Sequence, residues 1–294
     1  MRAKQIDRVA TVFFYLIAIT IVGILVGLLG YIFVKGIPNL SWSFLTSAPE
    51  FMRAGGGVAP QLFNSFYILI LTLLMVVPVG VGAGIYMSQY APKNSVTDFL
   101  RTTIEVLSSI PSIVVGLFGL MLFVNMTGWG YTIIGGAMAL AIFNLPLIVR
   151  VTEQALEAVP KDQTEASLAL GVTKWETIWS VLLPAALPGI ITGTILASGR
   201  IFGEAAALLY TSGMSSPSLD FTNWNPFELT SPLNIFRSGS TLSVHIWKIN
   251  SEGLIPDARE IANGASALLV LAVLVFNLGA RWLGKWIHKR LTSS

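Results

Sequence analysis

Six long apolar runs constrain this chain more than any other feature of its 294 residues. A helix needs about 20 mostly apolar residues to cross the hydrocarbon core of a bilayer. The runs lie at about 11–34, 65–87, 106–125, 131–149, 186–210 and 263–284. The first follows a basic head, but it is too long for the core of a signal peptide and no cleavage site follows it, so we expect a retained helix.

Composition agrees with a chain whose main solvent is lipid. Hydrophobic residues make up 54% of the sequence and charged residues 11%, whereas soluble domains carry about 25% charged residues. We therefore predict an all-α membrane protein with six transmembrane helices in one domain, residues 1–294. The chain has no cysteine, which excludes disulfides and thiolate metal sites. We expect no metal or cofactor on this chain.

The distribution of lysine and arginine predicts the orientation. Six crossings place both termini on the same side of the membrane. The amino terminus, 88–105, 150–185 and the carboxyl-terminal tail hold twelve of these cations, against five in the segments on the other side. The positive-inside rule then puts both termini in the cytoplasm. The remaining cation, Arg200, lies inside the fifth run.

A polar segment at 151–184 separates the fourth and fifth runs, on the side predicted to be cytoplasmic. Pro160 breaks the preceding helix, and Asp162 with Glu165 has the spacing of a capping box with an acidic N-cap. A short helix would follow, with Gly171 at the C′ position that ends it.

This predicted helix would carry Ala166, Ala169 and Leu170 on one face, which makes a small apolar surface about two turns long. A helix of this length is not stable alone in water. It must therefore dock either on the membrane bundle or on a cytoplasmic partner.

The same segment carries a recognisable motif. Permeases of bacterial ABC importers have a cytoplasmic loop with the pattern E-A-A, three residues, G, nine residues, I-x-L-P. This chain resembles it, with Glu165-Ala166-Ser167, Gly171 and Val181-Leu182-Leu183-Pro184 at the same spacing, Ser replacing Ala and Val replacing Ile. The resemblance implies an ABC importer type I permease-like bundle. It also implies that Glu165, Ala166, Ser167 and Gly171 belong to a coupling helix that docks in a groove of an ATPase subunit.

Three further segments narrow the resemblance. The stretch GGGVAPQLFNSFYILILTLLMVVPVGVGAGIYMSQYA, the segment IPSIVVGLFG and the segment SGRIFGEAAALLYTSG are similar to phosphate permeases of the Pst type, A subunit (PstA). The A subunit usually has Thr-Ala-Pro after the glutamate of the third segment, where this chain has Ala205-Ala206-Ala207.

The Pst resemblance implies a set of partners and a location. The partners would be an ABC ATPase dimer that binds ATP and Mg, a second, PstC-like permease, and an extracytoplasmic phosphate-binding protein. The location would be the bacterial inner membrane. The residues alone leave sulfate, molybdate and phosphonate open as substrates beside phosphate.

Arg200 and Glu204 are two charges inside the fifth apolar run. A charge near the middle of a bilayer costs about 2.5–3.5 kcal/mol on insertion scales, so such residues face the bundle interior and mark candidate functional sites. Positions i and i+4 share a helix face, so the two side chains could pair. One interpretation is a substrate-translocation site in which the arginine binds a passing oxyanion. The other is a structural ion pair.

Other charges and the long loop at 211–262 are less informative. We interpret Arg150 as a topology anchor and Glu153 with Glu157 as a solvated face. Trp282 and Trp286, with nearby cations, suggest an interfacial belt. The loop could dock an external binding protein, or it could contain a re-entrant or surface-lying segment.

Two other function classes were weighed against the importer. No segment has the full Walker A pattern G-x-x-x-x-G-K-[ST], so we expect no ATP hydrolysis by this chain. A self-sufficient secondary transporter or channel for an oxyanion remains an alternative. An intramembrane enzyme is improbable, because the runs have no paired aspartates, no HExxH and no serine with a base.

Overall fold

The computed structural model describes residues 2–50, 55–252 and 256–292, and its secondary structure within these ranges is helical, without a strand. Twelve α-helices are present in the described residues: α1 Arg2–Gly36, α2 Trp42–Thr46, α3 Ala59–Ile85, α4 Ser95–Ser108, α5 Ser112–Gly119, α6 Ile133–Glu157, α7 Lys161–Ala169, α8 Lys174–Thr177, α9 Leu183–Gly203, α10 Ala206–Thr211, α11 Leu242–Glu252 and α12 Ala258–Thr292. Turns of π-helix at Tyr86–Tyr90, Leu120–Met126 and Ile178–Leu182 extend α3 and α5 and join α8 to α9.

Glycine contacts fix the relative directions of the long helices. Gly80 and Gly84 of α3 lie against Ile148 and Thr152 of α6 in the same order, so these two helices run parallel. A side chain at either glycine would collide with α6, which is why the backbones can approach so closely. By the same reasoning α9 runs antiparallel to α6, since Gly193 packs on Val151 and Gly189 on Ala155.

The helices alternate between two ends of the bundle. We call the end where α1 begins and α12 finishes the terminal end, and the opposite end the loop end. Five helices within the described residues are long and apolar enough to cross a membrane, and the bent pair of Ser95–Ser108 with Ser112–Met126 makes up to six. The described residues thus confirm the predicted helical fold. The predicted cytoplasmic orientation stays a prediction, and it rests in part on Arg53, which lies outside the described residues.

The third predicted span, 106–125, is not a straight helix. It is interrupted between Ser108 and Ser112, where the chain bends by 94°. Pro111 is the N-cap of α5 with an extended ψ of 136°, and proline disfavours helical geometry in the residue before it. The prediction treated the apolar run as one element because periodicity alone does not show such a bend.

The fifth predicted span, 186–210, begins earlier and ends earlier than expected. Helix α9 starts at Leu183 and includes Pro188, and it stops at Gly203. Glu204 is extended, with ψ 121°, and the short helix α10 continues in its place to Thr211. The predicted span therefore consists of two helices, α9 and α10, separated by a break after Gly203.

The loop after α10 packs on the loop end of the bundle. Ile133 and Ile134 at the start of α6 donate backbone hydrogen bonds to the carbonyls of Arg237 and Ile235. Gly239 donates to the carbonyl of Ser212, which closes the loop on itself. Helix α11, part of the same predicted loop, then packs against α12.

Candidate functional site

Arg200 lies in the last turn of α9, partly buried and facing α6. Its guanidinium carbon is 3.7 Å from the centroid of the Phe143 ring, a side chain that is only 4% exposed. Stacking on an aromatic face is a favourable environment for guanidinium. Within the described residues Arg200 makes no hydrogen bond and no ion pair. The N–H donors at the edge of the stacked guanidinium group are therefore available to a ligand.

Glu204 does not form the expected ion pair with Arg200. The prediction placed both on one helix face, but α9 ends at Gly203 and the next residue leaves the helix. The carboxylate instead accepts a hydrogen bond from the backbone N–H of Ala207, at 3.3 Å. Its backbone carbonyl accepts from the hydroxyl of Ser243, at 2.7 Å. An electrostatic attraction to Arg200 remains, but Glu204 mainly shapes the break between α9 and α10.

An apolar groove of about 900 Å³ opens between α3, α9 and α12 toward the terminal end. Its walls include Val77, Val81, Ile190, Thr194 and Phe276. Ser198, two residues before Arg200, lines it as well. The groove therefore runs along the bundle up to the turn of α9 that carries the arginine.

Helix α7 has the predicted end and a different start. Gly171 has a φ of +80°, its N–H donates to the carbonyl of Leu168, and Val172 donates to the carbonyl of Ser167. This is the Schellman arrangement, which favours glycine at C′. The N-cap is Pro160, and Asp162 lies in the first turn instead of capping it, so the predicted capping box is wrong.

One buried contact attaches α7 to the bundle. The hydroxyls of Ser167 and Thr177 are 2.9 Å apart, and Ser167 is one of the two residues that depart from the family pattern. Ala166, Ala169 and Leu170 are all exposed, so the apolar face does not dock on the membrane bundle.

The capping box of this region lies one helix later than predicted. At the start of α8, Thr173 and Glu176 hydrogen-bond each other's backbone N–H reciprocally. The sequence signal for this capping box is the T-x-x-E spacing of Thr173 and Glu176, which follows the predicted pair Asp162 and Glu165. The ammonium of Lys174 donates to the carbonyl of Gln89, which ties α8 to the end of α3.

Three ion pairs join α4 to α6 near the terminal end. The Arg101 guanidinium is 2.8 Å from the Glu153 carboxylate and 3.9 Å from that of Glu157. Arg150 is 3.1 Å from Glu105. The interpretation of Glu153 as solvated is therefore wrong, because its side chain is only 12% exposed. Arg150 likewise has a partner, on a neighbouring helix that the sequence did not place beside it.

Arg237 is a buried charge that the sequence reasoning did not single out. It is 2% exposed and donates to the carbonyls of Ser231, Pro232 and Ser238. It also donates to the side-chain carbonyl of Asn64 on α3, at 2.7 Å. No local sequence signal marks it, since its acceptors come from both the loop and a distant helix.

The described residues offer no obvious place for a metal or a nucleotide. They contain no group of three or more histidine, cysteine, aspartate or glutamate side chains that could hold a metal ion. The segment GARWLGKW has the glycines and the lysine of a Walker A pattern, with Trp286 at the last position. It lies inside the continuous helix α12, whereas a phosphate-binding loop needs exposed, non-helical backbone.

Comparison with known proteins gives consistent matches. A family model described as "Binding-protein-dependent transport system inner membrane component" matches residues 80–293. The probable ABC transporter permease protein YqgI of Bacillus subtilis (strain 168) is 62% identical over 294 residues, which cover 100% of both chains. The phosphate transport system permease protein PstA of Yersinia pestis is 34% identical over 252 residues, covering 84% of this chain and 79% of that one.

A solved structure extends the comparison to the fold. A bacterial alginate ABC transporter, in complex with an alginate pentasaccharide-bound periplasmic protein, contains a chain that matches with a TM-score of 0.64 at 16% identity. The match covers 97% of this chain and 98% of that one. At this identity the likeness concerns the fold alone.

Proposed function

This chain belongs to the family of binding-protein-dependent transport system inner membrane components, and on that premise we propose that it is the permease of an importer for inorganic phosphate. The permease role in an ABC importer follows from the family. The substrate, the residues that meet it and the identity of the partners are the proposal.

The observation that carries the substrate class is the state of Arg200. It stacks on Phe143 near the end of a candidate membrane-spanning helix, with its N–H donors unused by the described residues. Guanidinium stays charged at physiological pH and presents a planar set of donors that matches the oxygens of a tetrahedral oxyanion. A site of this kind favours reversible binding of an anion in the translocation pathway, weak enough for the anion to be released again.

Relatives support phosphate within the oxyanion class. The similarity to PstA of Yersinia pestis spans 84% of this chain, and that protein's name assigns it to phosphate transport. Sulfate, molybdate and phosphonate carry similar oxygen geometry, so Arg200 alone does not choose among them. In our proposal the external binding protein largely determines which of these oxyanions is transported.

The second part of the proposed mechanism concerns the segment at 151–184, which we call the coupling loop. Helix α7 leaves its apolar face, Ala166, Ala169 and Leu170, exposed, while Ser167 contacts Thr177. In our proposal Glu165, Ala166, Ser167 and Gly171 form the part that the ATPase subunit engages. Closure of the ATPase dimer on ATP would then move α7 as a rigid unit together with α8 and α9, which opens the path alternately to each side.

The test is phosphate uptake by the assembled importer, with its ATPase, second permease and binding protein, in proteoliposomes. Arg200→Ala is expected to abolish uptake while the complex still assembles. Hydrogen bonds to a charged group contribute about 1.5–3 kcal/mol each, so losing two slows transport by more than about 100-fold. Arg200→Lys keeps the charge without the planar donors and should give an intermediate rate.

The matched control is Arg259→Ala, which removes an exposed arginine at the start of α12 and should transport normally. Wild-type phosphate uptake by the Arg200→Ala complex would exclude the proposed role of the arginine. If the wild-type complex took up sulfate or molybdate but not phosphate, the permease role would stand and the substrate would be wrong.

A further inference from the structure

Helix α4 has an apolar face that nothing in the described residues covers. The exposed fractions are 65% at Val96, 69% at Phe99, 43% at Leu100, 58% at Val106 and 43% at Leu107. On a helix with about 3.6 residues per turn these positions fall on one side, with Leu107 two turns after Leu100, so they form one stripe. We call these five residues the α4 stripe.

The opposite face of α4 is polar and contacts α6. Arg101 pairs with Glu153 and Glu105 pairs with Arg150, both on α6. Thr97, on the same side as Arg101, is 4% exposed. The helix thus turns Arg101 and Glu105 toward the protein and its large apolar side chains away from it, the reverse of a helix on a soluble domain.

The position of α4 along the bundle matches a membrane boundary. Its partners Arg150, Glu153 and Glu157 occupy the last turns of α6, where that helix passes from an apolar to a charged sequence. Charged residues at the end of a membrane helix mark the level at which it leaves the hydrocarbon. Helix α4 therefore lies at the depth of the lipid headgroups.

The orientation of α4 is also the one expected of a helix at the depth of the lipid headgroups. It bends by 94° from α5, which runs along the bundle, so α4 lies nearly in the plane of a membrane. Its 14 residues span about 21 Å at 1.5 Å per residue. Asp98 and Thr102 are exposed and lie between the face toward α6 and the α4 stripe, so one edge of the helix can remain in water.

From these observations we infer that α4 is an interfacial helix that binds the lipid surface at the terminal end of the bundle. The α4 stripe enters the acyl-chain boundary, and Asp98 and Thr102 face water. The exposed apolar surface continues onto α5 at Ile113, Leu117 and Phe118, as expected where one lipid-covered surface passes from the interface into a membrane-crossing segment. The ion pairs with α6 hold the helix at this depth.

The absence of cysteine from the sequence makes the test direct. Single cysteines are introduced at Val96, Phe99 or Leu107 on the stripe, and at Asp98 or Thr102 as matched controls on the same helix. Each variant carries a nitroxide and is assembled with cysteine-free partner subunits in lipid nanodiscs. Collisions with oxygen, which concentrates in lipid, and with a water-soluble nickel chelate are then measured.

For the stripe positions we expect an oxygen-to-nickel collision ratio several-fold higher than at Asp98 and Thr102. A low ratio at the stripe would place this face in water and overturn the inference. Low accessibility to both reagents would also overturn it, because a protein surface, such as the second permease, would then cover the stripe. Three separate stripe positions guard against one variant that fails to assemble, and the result is independent of which solute is transported.

Discussion

At the scale of single residues, the charges that matter most are set by neighbours far away in the sequence. Arg237 looked like an ordinary loop cation, yet it is buried and joins the loop to Asn64 of α3, 173 residues away. Burial lowers the pKa of Arg237 to about 10, and the nearby Tyr67 acts in the opposite direction. Even so, the group stays protonated at neutral pH, and its hydrogen bonds are charge-assisted.

Replacing Arg237 should destabilise the protein more than replacing an exposed arginine. Arg237→Leu leaves the side-chain carbonyl of Asn64 without its guanidinium donor and strips donors from three loop carbonyls. We expect a loss of about 3 kcal/mol, in the range for unsatisfied buried partners of a charge. The unfolding temperature of the purified protein measures this, and Arg259→Leu is the matched control. Equal unfolding temperatures for the two variants would contradict the role of Arg237.

The buried His245 predicts a dependence of stability on pH. Burial, and then the positive charge of Lys248, lower the pKa of His245 to about 4, from about 6.5 in an unfolded chain. Because the folded protein disfavours the protonated ring, the stabilisation is fully present above pH 6.5. It is lost as the pH falls from 6.5 toward 4, by up to about 3 kcal/mol.

The measurement is the unfolding temperature between pH 7.5 and 4.5, at constant ionic strength. His245→Leu has no titrating ring, so its stability should depend less on pH over the same window. If the variant and the wild type fell in parallel, other groups would account for the acid sensitivity.

At the scale of elements, helix ends and breaks carry the function more than helix centres do. Helix α7 has a buried hydroxyl contact with Thr177 and ends at Gly171, and α9 stops one turn after the position where Arg200 lies on Phe143. Short elements of this kind depend on their caps, because propensity alone does not stabilise nine residues.

Gly171 is the residue on which the shape of α7 depends most. Its φ of +80° is strained for other residues, and a left-handed conformation costs about 1–2 kcal/mol for an L-residue. A Cβ at this position would meet open space, so Gly171→Ala should act through the backbone alone. We expect weaker co-purification of the ATPase subunit and slower ATP-driven uptake, with the unfolding temperature little changed.

Gly203→Ala is the comparison for this experiment, since that glycine also has open space around it but lacks the left-handed backbone. Gly171→Asn should be milder than Gly171→Ala, because asparagine tolerates the left-handed region better. Normal ATPase binding by Gly171→Ala would argue against α7 as the coupling element.

At the scale of the whole molecule, the fold is that of an ABC importer type I permease-like bundle, as the solved structures it resembles indicate. Within the described ranges the helices alternate in direction, and the start of α1 and the end of α12 both lie at the terminal end. The candidate oxyanion site is only partly enclosed by this chain. Because the chain belongs to a family of ABC importer permeases, we expect an ATPase subunit to supply the energy for transport.

The isolated chain should be silent as a transporter. Reconstituted alone in liposomes with a phosphate gradient, a proton gradient or a sodium gradient, it should give no uptake above that of empty liposomes. Addition of the ATPase, the second permease and the binding protein with ATP should start uptake. Phosphate movement by the chain alone would support the self-sufficient transporter instead.

The sequence was sufficient wherever a property depends on local composition. Apolar runs of about 20 residues predict membrane-crossing helices because the hydrocarbon core leaves a backbone no other way to satisfy its hydrogen bonds. Gly171 ends α7 as predicted because a left-handed residue is a local requirement. The coupling motif could be read for the same reason, since its spacing lies within a single loop.

Only the tertiary structure decided which residues meet. The contact of Ser243 with the break at Glu204, the ion pairs between α4 and α6 and the burial of Arg237 all depend on elements that are distant in sequence. Periodicity reports which face of a helix is apolar, and it does not report what that face packs against or whether the helix continues. The sequence thus determined a bundle of membrane helices with a short helix, α7, that ends at Gly171. Packing determined that Arg200 lies on Phe143 instead of pairing with Glu204, because the chain leaves the helix one residue before the glutamate.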